Sequence, residues 1–129
     1  MRSYAVLAVG MLTLSACGQK DGGSGSADVA AVSGETVFKR CAACHSIEKG
    51  GANGLGPNLH GIVGRKIASV PGFSYSQALA NKGGIWDEAA LDAYIESPAR
   101  AVAGTRMAFS GVRSAEERKA LIAYLSELK

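Results

Sequence analysis

Apolar residues recur at helical spacing in three stretches of the chain, and no segment alternates apolar with polar positions over the length of a strand. The first stretch opens at Ser33, with Glu35 just inside, and sets Val37, Phe38 and Cys41 on one face. The second begins at Trp86-Asp87, where Asp87 is a good N-cap and Trp86 can pack onto Leu91 as a hydrophobic staple. Its inner face is Leu91, Tyr94 and Ile95, and Pro98, which cannot donate a backbone hydrogen bond, ends it. The third carries a capping box, Ser114 with Glu117, then Leu121, Ile122, Leu125 and Leu128. Residues 49–72 are dominated by Gly, Pro and Asn and predict long loops, with a short helix within 74–82. The pattern predicts an all-α domain of short helices and long loops.

A different pattern precedes it. Residues 4–16 form an almost unbroken apolar run behind the positive charge of Arg2. The run is short for a bilayer span of about 20 residues and suits the apolar core of a signal peptide. It ends in Leu14-Ser15-Ala16-Cys17, which resembles the lipobox of bacterial lipoproteins, where the Cys is acylated and becomes the new N-terminus. An ordinary secretory signal with Cys17 a bystander and a retained signal anchor are the alternatives. Residues 18–33 are rich in Gly, Ser, Asp and Ala and read as a flexible tether. The expected organisation is a signal peptide over 1–16, an anchor Cys and linker over 17–32, and one folded domain over 33–129. That domain would stand in the bacterial periplasm, held to a membrane through acylated Cys17.

Charge narrows the function classes. The formal net charge is +3 with 19% charged residues, too sparse for a dense basic face, so no nucleic-acid partner is expected. Aromatic content is 6%, which makes a core built from protein alone thin and favours a cofactor as a staple.

Cys41-Ala42-Ala43-Cys44-His45 supplies that staple: it is the C-x-x-C-H signature of covalent haem attachment. Two thiols three residues apart on a helical turn can each add to a haem vinyl group, and the adjacent His can then ligate the iron. A thioredoxin-like pair would need a strand-helix setting, and a zinc site would need more ligands than the one further His, His60. A plain disulfide would leave His45 unused. For the second axial ligand, Met107 is the only Met beyond the leader; a thioether suits haem iron and raises its potential. Core filling by Met107 and ligation by His60 are the competing assignments.

From Gly34 to Lys129 the sequence resembles class I cytochrome c of the mitochondrial and small bacterial type. The resemblance is carried by Gly34-x-x-x-Phe38, the haem motif, Lys49-Gly50-Gly51, Gly56-Pro57-Asn58-Leu59-His60-Gly61 and Gly64-Arg65-Lys66. It continues through Pro71-Gly72-Phe73-Ser74-Tyr75, Trp86, Gly104-Thr105-Arg106-Met107-Ala108-Phe109 and Leu121-Ile122-Ala123-Tyr124-Leu125. It implies the class I fold wrapped around one covalent haem c, with His45 and Met107 on the iron and the Pro57 carbonyl fixing the His45 ring. It further implies Arg65, Tyr75 and Trp86 at the haem propionates, Tyr94 and Thr105 bonded near Met107, and Phe109 shielding the pocket. A core-only Trp86 and a merely solvated Arg65 are the alternatives. Gly34 and Tyr124 belong to the crossing of the first and last helices. Leu79 stands where the family often has a polar Asn, which alters the internal hydrogen-bond network.

With two strong ligands on the iron no substrate position is open, so the expectation is a monomeric single-electron carrier and not an enzyme. Lys39, Arg40, Lys49, Arg100, Arg106 and Arg113 are read as a positive rim for transient docking onto acidic faces. By resemblance those faces belong to a quinol–cytochrome c reductase and a cytochrome oxidase. The competing function is a haem peroxidase or gas sensor in which Met107 is displaced.

Overall fold

The computed structural model describes residues 31–129; the expected signal peptide and lipid-attachment Cys17 lie outside these residues. Among the described residues there are five helices and no strand: α1 (Gly34–Phe38), α2 (Gln77–Lys82), α3 (Glu88–Glu96), α4 (Pro98–Ala101) and α5 (Ala115–Glu127). One isolated antiparallel bridge joins Lys66 and Ile85. None of these helices is long and apolar enough to cross a membrane.

Local chemistry sets the helix starts. Asp87 accepts from the Ala90 N–H at 2.7 Å, Ser76 from Leu79 at 3.2 Å and Ser114 from Glu117 at 3.2 Å. Only half of the expected capping box forms at Ser114. The Glu117 carboxylate meets Arg40 at 2.6 Å instead of turning back, and Glu116 takes the Ser114 hydroxyl. α1 is shorter than its apolar face predicts. Past Phe38 the backbone bonds mix spans, Cys41 N–H to Phe38 O and Ala42 N–H to the same oxygen, so the helix dissolves into successive turns through residue 44. Pro98 ends α3 as expected and also opens α4, which the apolar pattern did not signal. At the first helical position its missing N–H removes no bond.

Two crossings build the core. α1 lies against α5 with Gly34 at the contact, where a Cβ would fall 2.6 Å from the Tyr124 Cβ; Phe38 and Tyr124 then stack tilted at 5.8 Å. α3 also packs on α5, and Leu91, Ile95, Leu121, Ile122 and Leu125 are all buried in the shared core. Long loops over residues 45–76 and 102–114 supply many of the residues that line the site.

Candidate functional site

The turns after α1 carry the two thiols. The Cys41 carbonyl accepts from both Cys44 N–H and His45 N–H at 3.0 Å, which coils the motif tightly. Cys41, Cys44 and His45 thereby line one cavity of about 530 Å³, within the range of cofactor sites. Cys44 is exposed and Cys41 half-buried, and both are free thiols. Burial pushes the Cys41 thiol up, against the lowering pull of Arg40, so it stays protonated.

His45 is fixed by the loop that follows. Its Nδ1 lies 2.7 Å from the Pro57 carbonyl. A carbonyl can only accept, so Nδ1 holds the proton and Nε2 keeps a free lone pair. Burial lowers the His45 pKa, with the Pro57 bond pulling the other way; the neutral ring, the form that binds metal, is favoured. Gly56 makes room for it: a Cβ there would fall 2.6 Å from Nδ1 and 2.8 Å from Nε2. Asn58, next to Pro57 and 7% exposed, knits the loop. It donates to Ser46 Oγ and the Glu48 carbonyl, both at 2.9 Å, and accepts from His60 N–H at 2.7 Å.

Met107 comes to the same cavity from the 102–114 loop. Its N–H donates to Thr105 Oγ1 at 3.3 Å, and Thr105 Oγ1 is 2.6 Å from the Tyr94 hydroxyl on α3. Trp86, buried, packs on Tyr94 with ring centroids 5.0 Å apart. Tyr75, Trp86, Tyr94, Thr105, Pro57 and Phe109 all line the cavity, and so does the apolar Leu79.

Two candidates lie elsewhere. Arg65 is absent from the cavity wall: its Nη1 and Nη2 donate to the His60 and Asn58 carbonyls, both at 2.9 Å. A half-buried guanidinium takes the nearest acceptors, and here those are backbone oxygens of the Pro57 loop. His60 also stands off the cavity, with Nδ1 on the Ile47 carbonyl at 3.0 Å and Nε2 buried without a partner. Within the motif Gly56-Pro57-Asn58 the sequence alone assigns no role to Gly56 or Asn58. Arg118 carries no signal in the sequence, because a lone Arg on the polar side of a helix reads as solvated.

Of the expected positive rim, only Arg40 and Arg106 reach the cavity wall, which carries no carboxylate. Arg40 is paired with Glu117, Arg100 with Glu96 at 2.8 Å, and Arg106 donates to the Ser74 carbonyl. No group of three or more His, Cys, Asp or Glu capable of holding a metal ion occurs among the described residues. Two thiols, a neutral imidazole with one free nitrogen and a thioether around an apolar cavity do suit a flat macrocycle carrying iron.

A family model described as cytochrome c matches residues 31–129. Cytochrome c of Gibberella zeae is 48% identical over 95 residues, 73% of this chain and 90% of the relative. Cytochrome c2 of Rhodoblastus acidophilus is 46% identical over 96 residues, 74% of this chain and 90% of the relative. The solved structure of cytochrome cH from Methylobacterium extorquens superposes with a TM-score of 0.69 at 40% identity, covering 75% of this chain and 97% of that one.

Proposed function

The chain belongs to the cytochrome c family, electron carriers rather than enzymes, which hold one covalently attached haem c; from that premise we propose how its own residues do this work. Cys41 and Cys44 would hold the haem covalently, and His45 and Met107 would ligate its iron. The observation that carries this reading is the His45 ring, held by Pro57 at 2.7 Å with Nε2 left bare in the cavity that Met107 also lines.

Bound there, the haem supplies a one-electron iron couple whose potential a thioether ligand raises. The protein's part is to keep that couple in fixed surroundings. Pro57 sets the tautomer and angle of His45, as partners of a ligating His generally do. The Tyr94–Thr105 pair braces the backbone beside Met107, while Leu79, Phe109 and the α5 leucines keep the cavity apolar. Tyr75 and Trp86 are the wall residues with polar hydrogens suited to propionate oxygens. Arg65 serves this site through the Pro57 loop carbonyls it holds.

With His45 and Met107 both on the iron no position would be open for a substrate, and electrons would pass on the side of the cavity where Cys44 is exposed. Its partners are a quinol–cytochrome c reductase and a terminal oxidase with acidic docking faces, met in the bacterial periplasm. The apolar run, Leu14-Ser15-Ala16-Cys17 and the tether support a membrane-held form through acylated Cys17, in which residues 1–16 are removed.

The ligand assignment is tested on purified holoprotein. Acid-acetone extraction leaves haem on the chain, and the oxidised protein has the weak far-red sulfur-to-iron band that Met107→Ala abolishes. A wild-type bis-histidine spectrum would overturn it in favour of His60. For the anchor, mass spectrometry finds acylated Cys17 as the mature N-terminus; an unmodified N-terminus beyond it rejects acylation.

A further inference from the structure

Both ends of the Met107 loop are fastened to α3. Upstream, Tyr94 bonds Thr105. Downstream, Val112 N–H donates to the Ile95 carbonyl at 2.9 Å, and Val112 is 0% exposed. Gly111 lies so close to α3 that a Cβ there would fall 2.8 Å from the Glu96 carbonyl carbon. The carbonyls of Val112 and Arg113 precede α5 and have no partner within it. Arg118 Nη1 takes both, at 3.0 and 2.9 Å.

The same guanidinium bonds Asp92 on α3, Nε to Oδ1 at 2.6 Å and Nη2 to Oδ2 at 3.3 Å. Arg118 is 7% exposed and lies outside the cavity wall. A guanidinium that far out of water needs its donors satisfied, and this one meets a forked carboxylate on one side and two backbone oxygens on the other. One side chain on α5 thus ties α3 to the terminal residues of the loop. A Lys ammonium, a compact point charge without the planar fork, cannot hold both sides at once.

We propose that Arg118, with Asp92, is a positioning residue for Met107: it fixes the downstream end of the loop and so keeps the thioether on the iron. Pinned at Thr105 and at Val112–Arg113, the intervening segment has little freedom. Without the Arg118 bonds the downstream end keeps only the Val112–Ile95 bond, and the segment beyond Thr105 opens locally more readily while the rest of the domain stays folded. The inference rests on Met107 being the axial ligand.

The test uses oxidised holoprotein as wild type, Asp92→Asn, Arg118→Lys and Ile122→Val. The last trims a buried core residue of α5 outside the cavity wall and controls for general destabilisation. The readouts are amide exchange over residues 105–113, the far-red sulfur-to-iron band, and the rate at which added imidazole replaces Met107. Asp92→Asn keeps the shape of the side chain and removes its charge; Arg118→Lys keeps the charge and removes the fork. Both are expected to speed imidazole entry and loop exchange by roughly tenfold relative to Ile122→Val at matched stability. Rates equal to wild type, or equal to Ile122→Val, overturn the positioning role while leaving Met107 as ligand. A wild-type protein without the band overturns the ligand assignment and this inference together.

Discussion

His45 lies against the Gly56 backbone because no side chain stands between them, and its bond to Pro57 depends on that contact. In Gly56→Ala the new methyl sits 2.6 Å from Nδ1, so the ring turns or the loop lifts. Overpacking of this kind costs about 1–3 kcal/mol, and the expected result is a lower denaturant midpoint together with a shifted haem spectrum. Tyr94 gives a pH test. Burial raises its phenol above the ordinary value near 10, the Thr105 bond opposing, so the fold favours the neutral form. A raised folded value means the contribution is complete below the unfolded value and is lost as pH climbs through the folded one. Tyr94→Phe should therefore lose about 1 kcal/mol at neutral pH. It should also flatten the fall in stability above pH ~10, read from denaturant titrations across the alkaline range. The C-x-x-C-H motif and the one Met within residues 33–129 could be named from sequence because their spacing and scarcity carry chemical information. Arg65 and Arg118 could not be placed so, since an arginine's reach exceeds what its position specifies. One ends on loop carbonyls and the other is buried against Asp92, and only the packed fold decides which.

Helix identity was legible where an apolar face and a cap coincide, at α3 and α5, and less so where tertiary contacts set the limits. α1 is five residues long, too short to persist alone, and stands because α5 covers Val37 and Phe38. α4 gave no apolar pattern; a four-residue helix has barely one turn to display one. The Ser114 box failed in its second half because Arg40, on the turn after α1, offers Glu117 a charged partner. The α1–α5 crossing makes the strongest prediction at this scale. Gly34→Ala sets a methyl against the Ala120 backbone and 2.6 Å from Tyr124 Cβ, and backbone on α5 cannot swing aside. The two helices must separate, at a cost of about 1–3 kcal/mol. Guanidinium unfolding followed by far-UV circular dichroism reads that loss, and a variant as stable as wild type would show that α1 does not need this contact.

Across the whole molecule the question is how much charge guides encounter. Six basic residues suggest a rim from their sequence positions, yet Arg40 and Arg100 are held by carboxylates of the same chain and only Arg40 and Arg106 border the cavity. Exposed ion pairs contribute little to stability, about 0–1 kcal/mol, but each leaves a smaller field for a partner to sense. Of the two basic wall residues, Arg40 is offset by Glu117, which leaves Arg106 as the main source of positive field at the cavity. Electron transfer from the domain over residues 33–129 to an acidic oxidase should slow as salt rises, because screening at 0.15 M confines attraction to roughly 8 Å. Arg106→Glu should lower the bimolecular rate and flatten that dependence with little change in potential. Arg40→Glu is a less clean variant, since it also sets two carboxylates together at Glu117. Using the untethered domain matters: a membrane-held carrier meets its partner at high effective concentration, where steering has less to add. Stopped-flow rates at low and high salt decide the matter, and equal low-salt rates for wild type and Arg106→Glu would reject charge steering while leaving the electron carrier itself untouched.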